Sequence, residues 1–127
     1  MATNFESLEV WKTCREYRKQ ISKIVRLFPM EEKYRLTDQL IRASRSITAN
    51  IAEGHGRYHF QENIQFCRQS RGSLSETLDH LICALDENYI TEQQLNLLRI
   101  QYENCIKLLN GYIGFLQKQK ELQKPNN

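Results

Sequence analysis

The side chains able to do acid–base, metal or nucleophilic chemistry in this sequence are three histidines, four cysteines and a scatter of serines, and their spacing supports none of it. His55 and His59 stand four residues apart and His80 is remote, so the pair lacks the third ligand a metal centre needs. Cys14, Cys67, Cys83 and Cys105 are separated by 53, 16 and 22 residues, with no CxxC pair. Zinc sites start from close ligand pairs, so the cysteines are expected to act as small hydrophobes, free of metal and of disulfides. Ser44, Ser46, Ser70, Ser73 and Ser75 lie in helical patterns without the strand-to-helix turn that exposes a nucleophile. The EGHGR segment at 53–57 follows a helical run rather than a strand, which removes a phosphate loop. The chain reads as a non-enzyme with no cofactor and no metal.

Charge is the better chemical lead. Lys12, Arg15, Lys19, Lys23 and Arg26 share one side of a helix, and only Glu16 interrupts them. Such a row can track the phosphates of RNA or DNA or dock an acidic protein surface, and its plain alternative is a solvated face. Arg42, Arg45 and Arg57 form a second cationic set. The net charge of +3 arises entirely in residues 1–28, which hold six cations and three anions, while the remainder holds twelve of each. Aromatic interleaving is limited to Tyr17, which speaks against single-strand stacking. Arg71 is the odd residue, because it interrupts the apolar line Phe60, Ile64, Cys67, Leu74 and Leu78. A buried arginine needs a partner, with Asn50 and Glu53 the nearest candidates, so the expectation is an Arg71–Glu53 pair that holds the corner between the second and third helices.

These residues must be positioned by helices. The 127 residues are 40% hydrophobic, and the prolines are Pro29 and Pro125, so nothing between them breaks a helix outright. The length suits one domain with its own core. Apolar positions at three- and four-residue steps predict helices over about 5–28, 31–54, 59–86 and 92–120, followed by a polar tail at 121–127. The first carries Leu8, Trp11, Cys14, Ile21, Val25 and Phe28, with Asn4 or Ser7 as candidate cap, and ends at Pro29. The second opens on Glu31 and Glu32, carries Leu36, Leu40, Ala43, Ile47 and Ile51, and ends at Gly54 and Gly56, which should take left-handed backbone. The third aligns Phe60, Ile64, Cys67, Leu74, Leu78, Leu81 and Leu85, and a turn follows at Asn88 and Tyr89. Thr91 and Gln94 form a capping box for the fourth, whose seam is Leu95, Leu98, Tyr102, Ile106, Leu109, Ile113 and Leu116. With short links the fold class is all-α, an up-down-up-down antiparallel four-helix bundle. No basic-then-apolar leader and no 20-residue apolar span is present, so a cytoplasmic protein without membrane contact is expected.

The fourth helix has a second apolar line, Leu97, Leu108 and Phe115, away from its seam, together with Gly111 and Gly114. One stripe suffices inside a bundle, and each helical glycine costs about 1 kcal/mol against alanine, so this line is expected to meet a second copy of the chain.

The stretch QLIRASRSITANIAEGHGRY at 39–58 resembles the signature of the 23S rRNA intervening-sequence proteins, also called four-helix bundle proteins. FESLEVWKTC, LFPMEEKYRL, RGSLSETLDHL and LLNGYIGFL are similar to that family in the same order, from residue 5 to about residue 116. The most specific part is NIAEG followed by Gly56 and Arg57. The resemblance implies a four-helix bundle assembled into a homopentameric barrel, with no established catalytic site. It also implies kinship with accessory variability proteins of diversity-generating retroelements, which bind a reverse transcriptase and have a nucleic-acid-binding role. The family's motif positions fall on Arg42, Ser46, Asn50, Glu53, Gly54, Gly56, Arg57, Gly72, Ser73 and Glu76. Two functions follow: binding of RNA or DNA through basic faces, or a scaffold for a protein partner such as a reverse transcriptase.

Overall fold

The computed structural model describes residues 4–123. Four α-helices, α1 (Glu9–Ile24), α2 (Leu36–His55), α3 (Phe60–Asp86) and α4 (Glu92–Leu122), make up most of that span. Cross-helix contacts give their directions. Arg18 meets Thr48 while Ser22 shares a groove with Ile41. Ser70 meets the Ile47 carbonyl while Asn63 lies beside Gly54. Gln61 meets Lys120 while Arg71 meets Asn110. Each helix therefore runs antiparallel to the next, and α1 packs on both α2 and α4 to close the bundle.

The first predicted helix is divided. A 3-10 turn at Phe5–Ser7 is capped by the Asn4 side chain, Leu8 is extended, and α1 ends in a second 3-10 turn at Val25–Leu27 before Pro29. The inward row is Val10, Cys14, Tyr17, Ile21, Val25 and Phe28, so Tyr17 fills the gap in the expected stripe and has no surface exposure. Leu8 and Trp11 sit at its edge.

The opening of α2 is also later than expected. Met30–Glu32 forms a separate 3-10 turn, and Arg35, at φ −122 and ψ −108, interrupts the chain before Leu36. Glu32 nevertheless acts on the helix start: its Oε1 accepts from the Leu36 N–H at 3.3 Å, while its Oε2 accepts from the Tyr89 hydroxyl at 2.7 Å. One carboxylate thus serves α2's unsatisfied first turn and ties it to the α3–α4 turn. That bond raises the Tyr89 pKa to about 12, because the neighbouring carboxylate favours the neutral phenol.

Neither Gly54 nor Gly56 is left-handed. Gly54 lies inside α2, Gly56 has φ −76, and the reversal falls to Tyr58 at φ 62. Gly54 answers a different demand: a Cβ there would lie 2.8 Å from Phe66 Cβ and 2.8 Å from Asn63 Oδ1. The absence of a side chain is what lets α2 and α3 approach so closely. Asn88, at φ 64, supplies the other left-handed residue, a role asparagine tolerates.

The interior of α3 is a heptad row of Asn63, Cys67, Ser70, Leu74, Thr77, Leu81 and Ala84, with Ile64 beside it. Several members are polar, which hides the row from a search for hydrophobes. Their hydrogen bonds make it possible. Ser70 Oγ donates to the Ile47 carbonyl at 2.8 Å, Thr77 Oγ1 donates to the Leu74 carbonyl at 2.6 Å, and the Tyr17 hydroxyl reaches Thr77 Oγ1 at 2.9 Å. No buried side-chain nitrogen or oxygen among the described residues lacks a partner.

The capping box at Thr91 and Gln94 is present, and α4 runs through Leu122. The predicted tail therefore begins two residues late, and positions 124–127 lie outside the described residues. In the α4 seam Cys105 is fully buried, while Tyr102 and Ile106 flank it.

Candidate nucleic-acid interface

Five exposed cations stand on or just beyond α1, all on one side of the bundle: Lys12, Arg15, Lys19, Lys23 and Arg26. Their immediate surroundings differ. Arg15 lies over the Trp11 ring at 5.7 Å, and Lys19 stands 3.6 Å from Glu16, a solvent-screened pair of little energetic weight. Lys12, Lys23 and Arg26 form no ion pair among the described residues. Lys19 lines a groove of about 400 Å³ between α1 and α2, with Arg18, Ser22, Ile41, Ser44 and Arg45. Lys23 lines a separate groove of about 260 Å³ toward α4 that includes Leu97 and Leu98. The basic row thus straddles two grooves.

The second cationic set does not come together. Arg42 Nε stands 2.9 Å from Asp38, one turn earlier on α2. Arg57 Nη2 donates to Glu53 Oε2 at 2.7 Å, approaches Glu62 at 3.8 Å and lies over the Phe66 ring at 5.1 Å. Its pKa is raised, first by that hydrogen bond and further by both carboxylates. Arg57 is therefore a strut of the α2–α3 corner rather than a free cation. Arg45 alone of the three faces the α1–α2 groove without an ion pair among the described residues.

Arg18 belongs with Arg45. It lies at the core edge, outside the exposed row, and that position is what orients it: its Nη1 donates to Thr48 Oγ1 at 2.8 Å. Chemically the groove offers two guanidiniums, an ammonium and the exposed Ser22 hydroxyl, with no carboxylate in its lining, and such a set suits phosphate oxygens.

The expected Arg71–Glu53 pair is absent. Arg71 is partly exposed and its Nη1 donates to Asn110 Oδ1 on α4 at 2.8 Å, while Glu53 is taken by Arg57. The inward position next to it belongs to Ser70. Asn50 Nδ2 instead donates within α2 to the Ser46 carbonyl and hydroxyl, each at 2.9 Å, and Ser73 Oγ donates to Ser46 Oγ at 2.9 Å across the seam. Of the signature residues, Ser46, Gly54, Arg57 and Ser73 make contacts between α2 or its corner and α3, while Asn50 and Glu53 brace Ser46 and Arg57.

Cys14, Cys67 and Cys105 are buried free thiols, whereas Cys83 is exposed, contrary to its expected role as core filler. Burial pushes the Cys67 pKa up to about 12, and a hydrogen bond with Cys105 followed by burial pushes Cys14 higher still, so both stay as unreactive thiols. His80 stands 3.2 Å from Glu76, and His55 and His59 line a pocket of about 350 Å³ at the bundle end with Asn63 and Tyr112. No group of three His, Cys, Asp or Glu side chains among the described residues could hold a metal ion.

On α4, Leu97 is 63% exposed and Phe115 53%, while Leu108 is half-buried. Ile100 and Leu122 extend this exposed apolar surface and were missed from sequence, the first because it steps off the line and the second because it lay in the assumed tail. Gly111 and Gly114 have no atom within 4 Å of where a Cβ would stand, so nothing in the protomer requires their small size. No helix among the described residues is long and apolar enough to cross a membrane.

The sequence model for the 23S rRNA-intervening sequence proteins matches residues 6–111. No curated protein matches the chain. Among solved structures it is similar to a protein of unknown function from the S23 ribosomal protein family of Bacteroides thetaiotaomicron, at 24% identity and a TM-score of 0.75, over 82% of this chain and 97% of that one. At that identity the likeness is one of fold.

Proposed function

The chain belongs to the 23S rRNA-intervening sequence protein family, and on that premise we propose that it is a non-enzymatic, self-associating cytoplasmic bundle that binds RNA or DNA through the basic side formed by α1 and α2. The observation that carries this reading is the set of exposed cations Lys12, Lys23, Arg26 and Arg45, none of which is neutralised by an ion pair among the described residues. Phosphate contacts of this kind release condensed counterions, so binding is sequence-tolerant and weakens steeply with salt. A gel-shift series against structured RNA and duplex DNA tests it, starting at ~50 mM salt where such contacts are strongest. A shift that fades as salt rises is expected, and no shift with either nucleic acid at the lowest salt refutes the reading.

Self-association rests on the α4 surface of Leu97, Ile100, Leu108, Phe115 and Leu122 with the open Gly111 and Gly114. The pentamer that the family resemblance implies is its specific form, and light scattering of the full chain measures it. A monomer at micromolar concentration removes this part.

The same α1 row of exposed cations favours a second reading, a scaffold that docks an acidic surface of a protein partner such as a reverse transcriptase. Here charge reversal at Lys12, Lys19 and Lys23 would abolish a pull-down of the partner while nucleic-acid binding stays negligible throughout.

A further inference from the structure

The α1–α2 groove differs from the rest of the basic side in being built rather than merely charged. Its lining takes Arg18, Lys19 and Ser22 from α1 and Ile41, Ser44 and Arg45 from α2, around about 400 Å³. The nearest paired carboxylates, Glu16 on Lys19 at 3.6 Å and Asp38 on Arg42 at 2.9 Å, are not part of that lining. Arg18 is half-buried, and the Thr48 hydroxyl that receives its Nη1 is itself buried and donates to the Arg45 carbonyl at 3.3 Å. An arginine gripping an anion ordinarily surrenders much side-chain freedom. Here that ordering is present beforehand, and the guanidinium's remaining N–H groups stay available. Ser44 donates its proton to the Ile41 carbonyl at 2.9 Å, which leaves Ser22 as the exposed hydroxyl of the groove.

We propose that this groove seats one phosphodiester of a nucleic-acid backbone, with Arg18 as the fixed anchor, Lys19 and Arg45 closing on the same phosphate from the two helices, and Ile41 beneath the sugar. The proposal rests on the nucleic-acid reading above and gives it a single registered point. Lys12, Lys23 and Arg26, with no ion pair among the described residues, follow neighbouring phosphates from that point. A lone cationic row gives affinity without register, whereas a groove with a pre-oriented arginine sets where the backbone crosses the bundle.

The test is fluorescence anisotropy of a labelled structured RNA with the full chain, at salt from ~50 to ~200 mM. The double variant Arg18→Gln/Arg45→Gln should bind about 100-fold more weakly at ~100 mM salt, with the salt slope reduced by about two, one for each lost contact. Ser22→Asp places a carboxylate one turn after Arg18, where it competes with phosphate for that guanidinium, and should weaken binding about tenfold with an unchanged melting temperature. Arg68→Gln/Lys118→Gln removes the same charge from α3 and the far end of α4 and should stay within about threefold of wild type, because distant exposed charges are screened. Equal losses in the two double variants, or wild-type affinity in both groove variants, overturn the groove and leave the nucleic-acid reading standing. No RNA binding by the wild type overturns both. Inorganic phosphate that displaces RNA beyond a chloride control of equal ionic strength would reassign the groove to the free anion and overturn the phosphodiester assignment.

Discussion

The α2–α3 seam and the α1–α4 side of this bundle are built from opposite kinds of surface. The seam is close-packed and polar, with Gly54 pressed against Asn63 and Phe66 and with Ser46, Asn50, Ser70 and Ser73 hydrogen-bonded within or across it. The α1–α4 side is open, carrying exposed lysines beside exposed Leu97 and Phe115 and two shallow grooves. Much of the family signature maps onto the seam, where Ser46, Gly54, Arg57 and Ser73 hold two helices together. The proposed groove takes Ile41, Ser44 and Arg45 from that same stretch, on another face of α2. One helical stretch can therefore hold the fold together with one face and line the site with another.

The most damaging way to probe this contrast is Gly54→Ala. The new Cβ would meet Phe66 Cβ and Asn63 Oδ1 at 2.8 Å and the Asn63 carbonyl at 3.1 Å, and the first and last of these move only with α3. Overpacking of this kind costs about 1–3 kcal/mol even after alanine's better helix propensity is counted, read as a lower denaturation midpoint at constant slope. A neutral result would mean that the seam is looser than its geometry.

Thr77 comes next. Thr77→Val strands the buried Tyr17 hydroxyl without its partner at 2.9 Å and should cost about 1–3 kcal/mol. Tyr17→Phe leaves Thr77 bonded to the Leu74 carbonyl and should cost only about 1 kcal/mol. Chemical denaturation of the two variants orders them, and the reverse order would break the assignment of α3's polar row as a satisfied interior.

The open glycines sharpen the other half of the comparison. With no atom within 4 Å of the added Cβ, Gly72→Ala should gain about 1 kcal/mol from helix propensity alone. Gly111→Ala has the same space in the protomer but lies on the proposed contact face, so its expected signature is a smaller assembled mass by light scattering. An unchanged mass together with that gain would remove Gly111 from the interface.

The smallest effect belongs to the corner. Glu53→Ala breaks only the exposed Arg57 pair and should cost about 0.5 kcal/mol or less. Combined with Arg71→Ala the costs should add to within about 0.3 kcal/mol, as expected for residues without a shared contact. A coupling well above that in a double-mutant cycle would restore the Arg71–Glu53 pair.

Four helices, the proline stop, the Asn88 turn and the Thr91–Gln94 capping box were legible because each follows from residues a few positions apart. The interior row of α3 was not legible in full. Ser70 and Thr77 fall outside any apolar stripe, and only their partners Ile47, Leu74 and Tyr17 show that they face inward. Arg71 was misplaced for the same reason, since an apolar search steps over Ser70 and lands on its neighbour. In the candidate site the exposed α1 row was readable, but Arg18 was not, because its value depends on Thr48 thirty residues away.

The sequence alone determined that this chain is a helical bundle, where its helices turn, and that its excess positive charge belongs to its first 28 residues. Those properties are periodic or additive along the chain, and no neighbour is needed to read them. Tertiary structure decided which of two adjacent rows on α3 faces inward, which arginines are struts and which are free, and that Arg18, Lys19 and Arg45 share one groove. Burial and charge pairing depend on distances between residues remote in sequence, and only the packed helices set those distances.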